Sequence, residues 1–205
     1  MPVRSKCDSS MVILYCFSAF CLLAAAYGVF RVRVRREYNN LGHLTPLTGF
    51  LELLVWIAFV SFPYLYNPPD WWAPWTAEVS VGPMIRLFGL LSLDAGIVLA
   101  LLGMIMLGFS RTFGQQSAGL IQTGPYRLSR NPQLVAMHLM VLGIVMLWPS
   151  WYAVGWLLIG TALGHMMVLT EEEHLKKLFG EVYAQYCRLV PRYVGWRTRS
   201  MRTEG

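Results

Sequence analysis

An all-α integral membrane protein is what this sequence predicts, and three observations carry that reading. Hydrophobic residues make up 56% of the chain and charged residues 14%, against roughly 25% charged in a soluble domain. Mean hydropathy is +0.46. The apolar residues gather in five runs, at 11–30, 47–66, 83–109, 133–148 and 151–169. A spanning helix needs about 20 such residues, so the sequence reads as five transmembrane helices.

The run at 11–30 has few basic residues before it and no small-residue cleavage site after it, so it reads as a retained span and not a signal peptide. Arg31, Arg33, Arg35 and Arg36 follow it. The second run, 47–66, holds Glu52. The loop at 67–82 contains no Lys or Arg, and its Trp71, Trp72 and Trp75 suit an interfacial aromatic belt. The third run, 83–109, holds Arg86, whose long side chain can reach outward, and Asp94, read as structural.

The loop at 110–132 carries Gly114, Gly119, Gly124, Pro125 and Pro132. It must turn repeatedly, which suits wrapping a ligand. The fourth run, 133–148, is short and would tilt or extend into its flanking loop. Trp148-Pro149-Ser150 then turns the chain into the fifth run, 151–169. Beyond it, Leu175, Leu178, Phe179, Val182, Tyr183 and Tyr186 follow helical spacing. The spacing predicts an amphipathic helix over 171–189, ended by Pro191.

The basic residues fall beside alternate span ends, while 67–82 and 148–150 have none. The positive-inside rule then places the N-terminus outside, the C-terminus in the cytoplasm and the last dozen residues on an anionic leaflet. The net charge of +6 is accounted for in this way and is no sign of nucleic acid. Cysteines 7, 16, 21 and 187 show neither a disulfide framework nor metal-ligand spacing. The chain reads as one domain over 1–205. Residues 1–109 supply three N-terminal spans, and 110–205 supply a ligand loop, a helical hairpin and the tail helix.

The hairpin gives the chemistry its frame. GPYRLSRNP, 124–132, precedes it, and EEEHLKKLFGEVYAQYCRLVPR, 171–192, follows it. A hairpin returns both motifs to one side of the bilayer. Glu52, His138 and His165 each lie about 5 residues from a span end, roughly 8 Å deep at 1.5 Å per residue. They could converge beneath the cytoplasmic surface, or simply hold helices together by hydrogen bonds. Glu171, Glu172 and Glu173 are either a solvated first turn or a site for an ammonium group. Arg127, Arg130 and Arg192 could take a carboxylate or phosphate. A zwitterionic ligand satisfies both sets. Tyr126, Tyr183 and Tyr186 would add aromatic faces, while Phe179 reads as packing. No dinucleotide fingerprint, P-loop, zinc-protease motif or nucleophile elbow is present. Covalent and metal catalysis therefore have no support.

In order and spacing, GPYRLSRNP resembles the GPYR-x-x-RHP segment of the isoprenylcysteine carboxyl methyltransferase family and its phospholipid methyltransferase relatives. Glu171-Glu172, Leu175, Phe179-Gly180, Tyr183, Tyr186 and Val190-Pro191-Arg192 resemble that family's ending. The resemblance runs from Leu107 onward. It departs at Asn131, where the family has His, and at Leu134, where an aromatic is usual. His138 lies one turn further on. The resemblance implies S-adenosyl-L-methionine as cofactor, entering from the cytoplasmic face. It implies a lipophilic acceptor reached from the bilayer, such as an isoprenylated cysteine carboxylate, a phospholipid amine or a small thiol. By carry-over, Tyr126, Arg130, Asn131, Gln133, Glu171, Glu172, Tyr183 and Arg192 surround the cofactor. Arg130, Glu172 and His138 are the candidate catalytic residues.

Methyl transfer suits such a site, because alignment alone can supply about 7–11 kcal/mol of the barrier. An ionised carboxylate acceptor needs no base. An amine or thiol does, with Glu52, His138 or His165 as candidates. A membrane reductase using a nicotinamide cofactor shares parts of the pattern, including Tyr186-Cys187 before Val190-Pro191. A non-catalytic scaffold or small transporter would leave the charged clusters solvated.

Overall fold

The computed structural model describes residues 9–66, 81–107 and 119–195. The tryptophans at 71, 72 and 75, together with Arg111, Gly114, Cys7 and the terminal arginines 197, 199 and 202, lie outside the described residues. Every regular element among the described residues is helical. The elements are α1 (Ser9–Ala26), a π-helical stretch (Tyr27–Val34), α2 (Arg35–Asn40), α3 (Pro46–Tyr66), α4 (Pro83–Leu107), a 3₁₀ turn (Gly124–Arg127), α5 (Pro132–Leu147) and α6 (Trp151–Leu189).

All five expected apolar segments are helices, and four are long and apolar enough to cross a membrane. The fifth, α5, has 16 residues. At 1.5 Å per residue it covers about 24 Å, short of the roughly 30 Å of hydrocarbon. Large apolar side chains are exposed along α1, α3 and α4, among them Phe17, Phe20, Ile57, Val60, Val98 and Ile105. A water-soluble monomer rarely tolerates such a surface, whereas lipid does.

The first helix does not stop at Phe30 as its hydropathy suggests. It continues through the π stretch to Asn40. The arginines that follow the first apolar run ride on this extension, and Arg31, Arg33 and Arg35 are held there by ion pairs. Arg31 and Arg35 both reach Glu173, at 2.9 and 2.6 Å. Glu37 then ties the next helix on: it accepts from the Thr45 backbone N–H at 2.8 Å and from the Thr48 hydroxyl at 2.6 Å.

Helices α1, α3 and α6 form the packed centre. Leu22, Ala26 and Phe30, Val55, Phe59 and Phe62, and Trp156, Ile159 and Leu163 make its buried core. Trp156 stacks on Phe59 with ring centroids 5.1 Å apart and donates its indole N–H to the Phe59 carbonyl at 2.8 Å. A buried indole needs that acceptor.

The outer helix α4 packs against α5 and the 3₁₀ turn. Its glycines at 89, 96 and 103 recur every seven residues and so share one face. A Cβ on Gly96 would sit 2.8 Å from the Ala136 carbonyl, and one on Gly143 would sit 2.6 Å from the Gly89 carbonyl. In lipid, packing of this kind takes over from the hydrophobic effect, and small residues let two backbones meet. Ser92 adds a hydrogen bond to the Leu139 carbonyl at 2.9 Å. Asp94 and Arg86 are exposed on α4, and no ion pair joins them.

The hairpin forms as expected. The Ser150 hydroxyl caps α6 by accepting from the Ala153 N–H at 3.0 Å. Up to its break at Gly180, α6 runs from 151 to 179, about 43 Å at 1.5 Å per residue and still beyond the hydrocarbon thickness. Gly180 interrupts it with φ 50° and ψ −123°, a combination open essentially to glycine alone. The kink turns 181–189 back toward the 3₁₀ turn. The helix ends at Leu189, two residues before Pro191.

Candidate active site

The two sequence motifs meet where the hairpin returns, and backbone contacts lock them first. The Arg130 N–H donates to the Pro191 carbonyl at 2.9 Å. Asn131 Nδ2 and the Ser129 hydroxyl both donate to the Arg192 carbonyl, at 3.0 and 3.3 Å. Beyond the kink, the Tyr186 hydroxyl donates to the Tyr126 carbonyl at 2.6 Å.

Glu172 is the centre of this junction. It is 3% exposed and accepts from Arg130 Nη1 at 2.9 Å and Arg192 Nη2 at 2.7 Å. Arg192 Nε lies 3.1 Å from both carboxylate oxygens. These hydrogen bonds raise the Arg192 pKa above its ordinary value. One carboxylate thus holds two guanidinium groups and clamps the 3₁₀ turn and the chain end onto α6. Glu172 and Arg192, read from the sequence as facing opposite ends of a ligand, pair with each other here.

Other sequence candidates are committed structurally as well. Tyr183 is 1% exposed and packs with Tyr186 and Val190, so its ring offers no open face. Phe179 packs against the same cluster. The Asn131 side chain is spent on the Arg192 carbonyl. His138 faces the Leu134 carbonyl of its own helix through Nδ1 at 2.8 Å and Thr161 Oγ1 of α6 through Nε2 at 2.9 Å, so both its nitrogens are engaged. Glu173 pairs with Arg31 and Arg35, and Arg127 is exposed.

What remains is a polar cluster on the other side of Glu172. Glu171 points about 100° around the helix from Glu172. It lies within electrostatic reach of Glu52 on α3, Tyr38 on α2 and Tyr126 in the turn. No cation pairs with Glu171 or Glu52 among the described residues. Burial raises the Tyr126 phenol, so it stays a neutral hydroxyl. Arg130 Nε and Gln133 Nε2 are buried donors with no partner among the described residues. Unsatisfied buried donors are uncommon and call for an explanation. Sequence reading missed Tyr38, which stacks on His174 at 3.9 Å, and Cys187, which lies 2.8 Å from Arg130 Nη1. Tyr38 has no motif around it, and only the helix running on past Phe30 brings it here.

S-adenosylmethionine carries a sulfonium, an ammonium and a carboxylate. Two uncompensated carboxylates and two unpartnered donors fit that set of charges. Glu171, Glu52 and Tyr126 would hold the cationic groups, and Arg130 and Gln133 the acceptor groups.

Residues 84–182 match the family model of the phospholipid methyltransferases. The match takes in α4, the 3₁₀ turn, α5 and most of α6. It therefore starts earlier than Leu107, where the sequence resemblance begins, and it ends before Tyr183 and Arg192. No curated protein and no solved structure matches the chain. Over residues 84–182 the chain is thus similar to the phospholipid methyltransferases, and its long apolar helices fit a multi-pass membrane protein.

Proposed function

We propose that the protein is an S-adenosylmethionine-dependent methyltransferase acting on an acceptor borne by an apolar chain, its cofactor site at the cytoplasmic face. Two observations support this reading: among the described residues Glu52 and Glu171 have no cation partner, and the buried donors Arg130 Nε and Gln133 Nε2 have no acceptor. The cofactor supplies a methyl group on a positively charged sulfur. The protein's part is to fix and shield it. Glu172 holds Arg130 so that Nε stays aimed inward, and the kink at Gly180 brings Tyr126 over the cluster. The arginines on the α1 extension, with those at the end of α6, favour the cytoplasmic orientation by the positive-inside rule. An isoprenylated cysteine carboxylate and a phospholipid amine both suit a site reached from lipid.

Calorimetry with the detergent-purified protein tests the site. Micromolar S-adenosylmethionine binding is expected, weakened at least tenfold by Glu171→Gln and by Glu52→Gln, and unchanged by Glu173→Gln. Wild-type affinity in both carboxylate variants would sink the assignment.

A further inference from the structure

Past the end of its apolar run, the first helix carries four arginines, and they divide into two pairs. Arg31 and Arg35 share Glu173 of α6, at 2.9 and 2.6 Å. Arg33 and Arg36 lie three residues apart and so share a different face. With Val32, Glu37, Asn40 and Leu41 they line a concave surface of about 430 Å³, within the roughly 300–1,000 Å³ of small-ligand sites.

The polar lining is fixed in place. Arg33 Nε donates to the Thr48 hydroxyl at 2.8 Å, and Thr48 is fully buried at the start of α3. The terminal nitrogens of Arg33 have no partner among the described residues. Arg36 is exposed and meets no acid among them. Glu37, the carboxylate in the lining, is already occupied. It accepts from the Thr45 N–H at 2.8 Å, the Thr45 hydroxyl at 3.0 Å and the Thr48 hydroxyl at 2.6 Å. Two guanidinium forks beside one engaged carboxylate leave the surface positive and shaped for a phosphate.

Depth and flanks identify the source of that phosphate. At 1.5 Å per residue the apolar run 11–30 covers about 30 Å, so the hydrocarbon ends near Phe30. Arg33 and Arg36 then lie about 5 and 9 Å further on, and their long side chains reach the headgroup layer. Val32 and Leu41 flank them and are 54% and 51% exposed. Free phosphate makes no use of such side chains, whereas the glycerol and acyl part of a lipid does.

We propose that this surface is a binding site for an anionic phospholipid, its headgroup phosphate held between Arg33 and Arg36 and a headgroup oxygen taken by the Asn40 amide. Glu52, Glu171 and Tyr126 are absent from the lining, so the lipid here is a bound ligand and not a methyl acceptor. The proposal stands apart from the methyltransferase reading, because it involves no cofactor and no transfer.

Native mass spectrometry of the full chain in detergent tests it, with equimolar phosphatidylglycerol and phosphatidylcholine of the same acyl chains as probes. One phosphatidylglycerol should be retained about tenfold or more over phosphatidylcholine. A basic residue beside an anionic headgroup is worth about fivefold in affinity. Arg36→Gln should therefore weaken retention about fivefold, and Arg33→Gln/Arg36→Gln about 25-fold. Arg36→Gln breaks no ion pair among the described residues, so it reads the site even where the double variant folds poorly. Arg127→Gln/Lys176→Gln removes the same charge from exposed positions elsewhere and should bind like the wild type. Millimolar inorganic phosphate should displace no lipid. Displacement would overturn the lipid assignment in favour of free phosphate. Equal retention of the two lipids, or equal losses in the two double variants, would overturn the site itself.

Discussion

Replacing Glu172 by glutamine separates a structural clamp from a surface ion pair, because the protein supplies its own control. Glu172 and Glu173 are neighbours, and each meets two arginines. The difference is burial. The Glu172 side chain is 4% exposed, against 12% and 34% for Arg130 and Arg192, whereas Glu173 is 36% exposed and its partners Arg31 and Arg35 are 18% and 51% exposed. Losing one member of a buried ion pair costs about 3–5 kcal/mol, because the stranded charge stays desolvated. Arg192 is about a third exposed and can turn partly to solvent, so the lower end, about 3 kcal/mol, is expected for Glu172→Gln. Exposed pairs contribute about 0.2–1 kcal/mol, so Glu173→Gln should lose under about 1 kcal/mol. At 1.4 kcal/mol per factor of ten, the two variants should differ by roughly 30-fold or more in the unfolding equilibrium. Denaturant unfolding in detergent micelles, followed by tryptophan fluorescence, reads this directly. A Glu172→Gln/Arg192→Gln double variant should recover part of the loss, since it leaves one stranded charge and not two. Equal stability of the two single variants would refute the claim that the clamp closes the site.

Two further substitutions probe the frame. Gly180→Ala meets no neighbouring atom, yet it forces a side chain onto φ 50° and ψ −123°. It should cost about 1–3 kcal/mol and loosen the Tyr186–Tyr126 contact, visible as faster proteolysis after residue 180. Gly143→Leu drives a side chain into the Gly89 carbonyl and Leu93 of α4. Overpacking of that kind costs about 1–3 kcal/mol or more, and a cysteine crosslink between α4 and α5 that forms in the wild type should be lost.

Much of this architecture is local, and so it can be read along the chain. Apolar runs announce the helices because each spanning segment must satisfy its own backbone hydrogen bonds. The hairpin, the tail helix and the meeting of the 124–132 and 171–192 motifs follow from segment lengths and the turn at 148–150. The glycines at 89, 96 and 103 carried the α4–α5 contact at a legible seven-residue period. The end of the first helix was not legible, because its arginines look like a loop until Glu173, more than 130 residues away, pairs with them.

The sequence by itself determined the membrane class, the helices and the group of residues that assemble at one end of the hairpin. Only the tertiary structure decided what each of them does. Glu171 and Glu172 are adjacent in sequence and identical in chemistry. One faces two guanidinium groups and becomes a clamp, while the other faces Glu52, Tyr38 and Tyr126 and is left for a ligand. His138 and His165 divide in the same way: among the described residues, one has both nitrogens bound and the other has one. Charge compensation and hydrogen-bond satisfaction depend on which side chains meet across helices. No residue's identity or spacing specifies its partner on another helix.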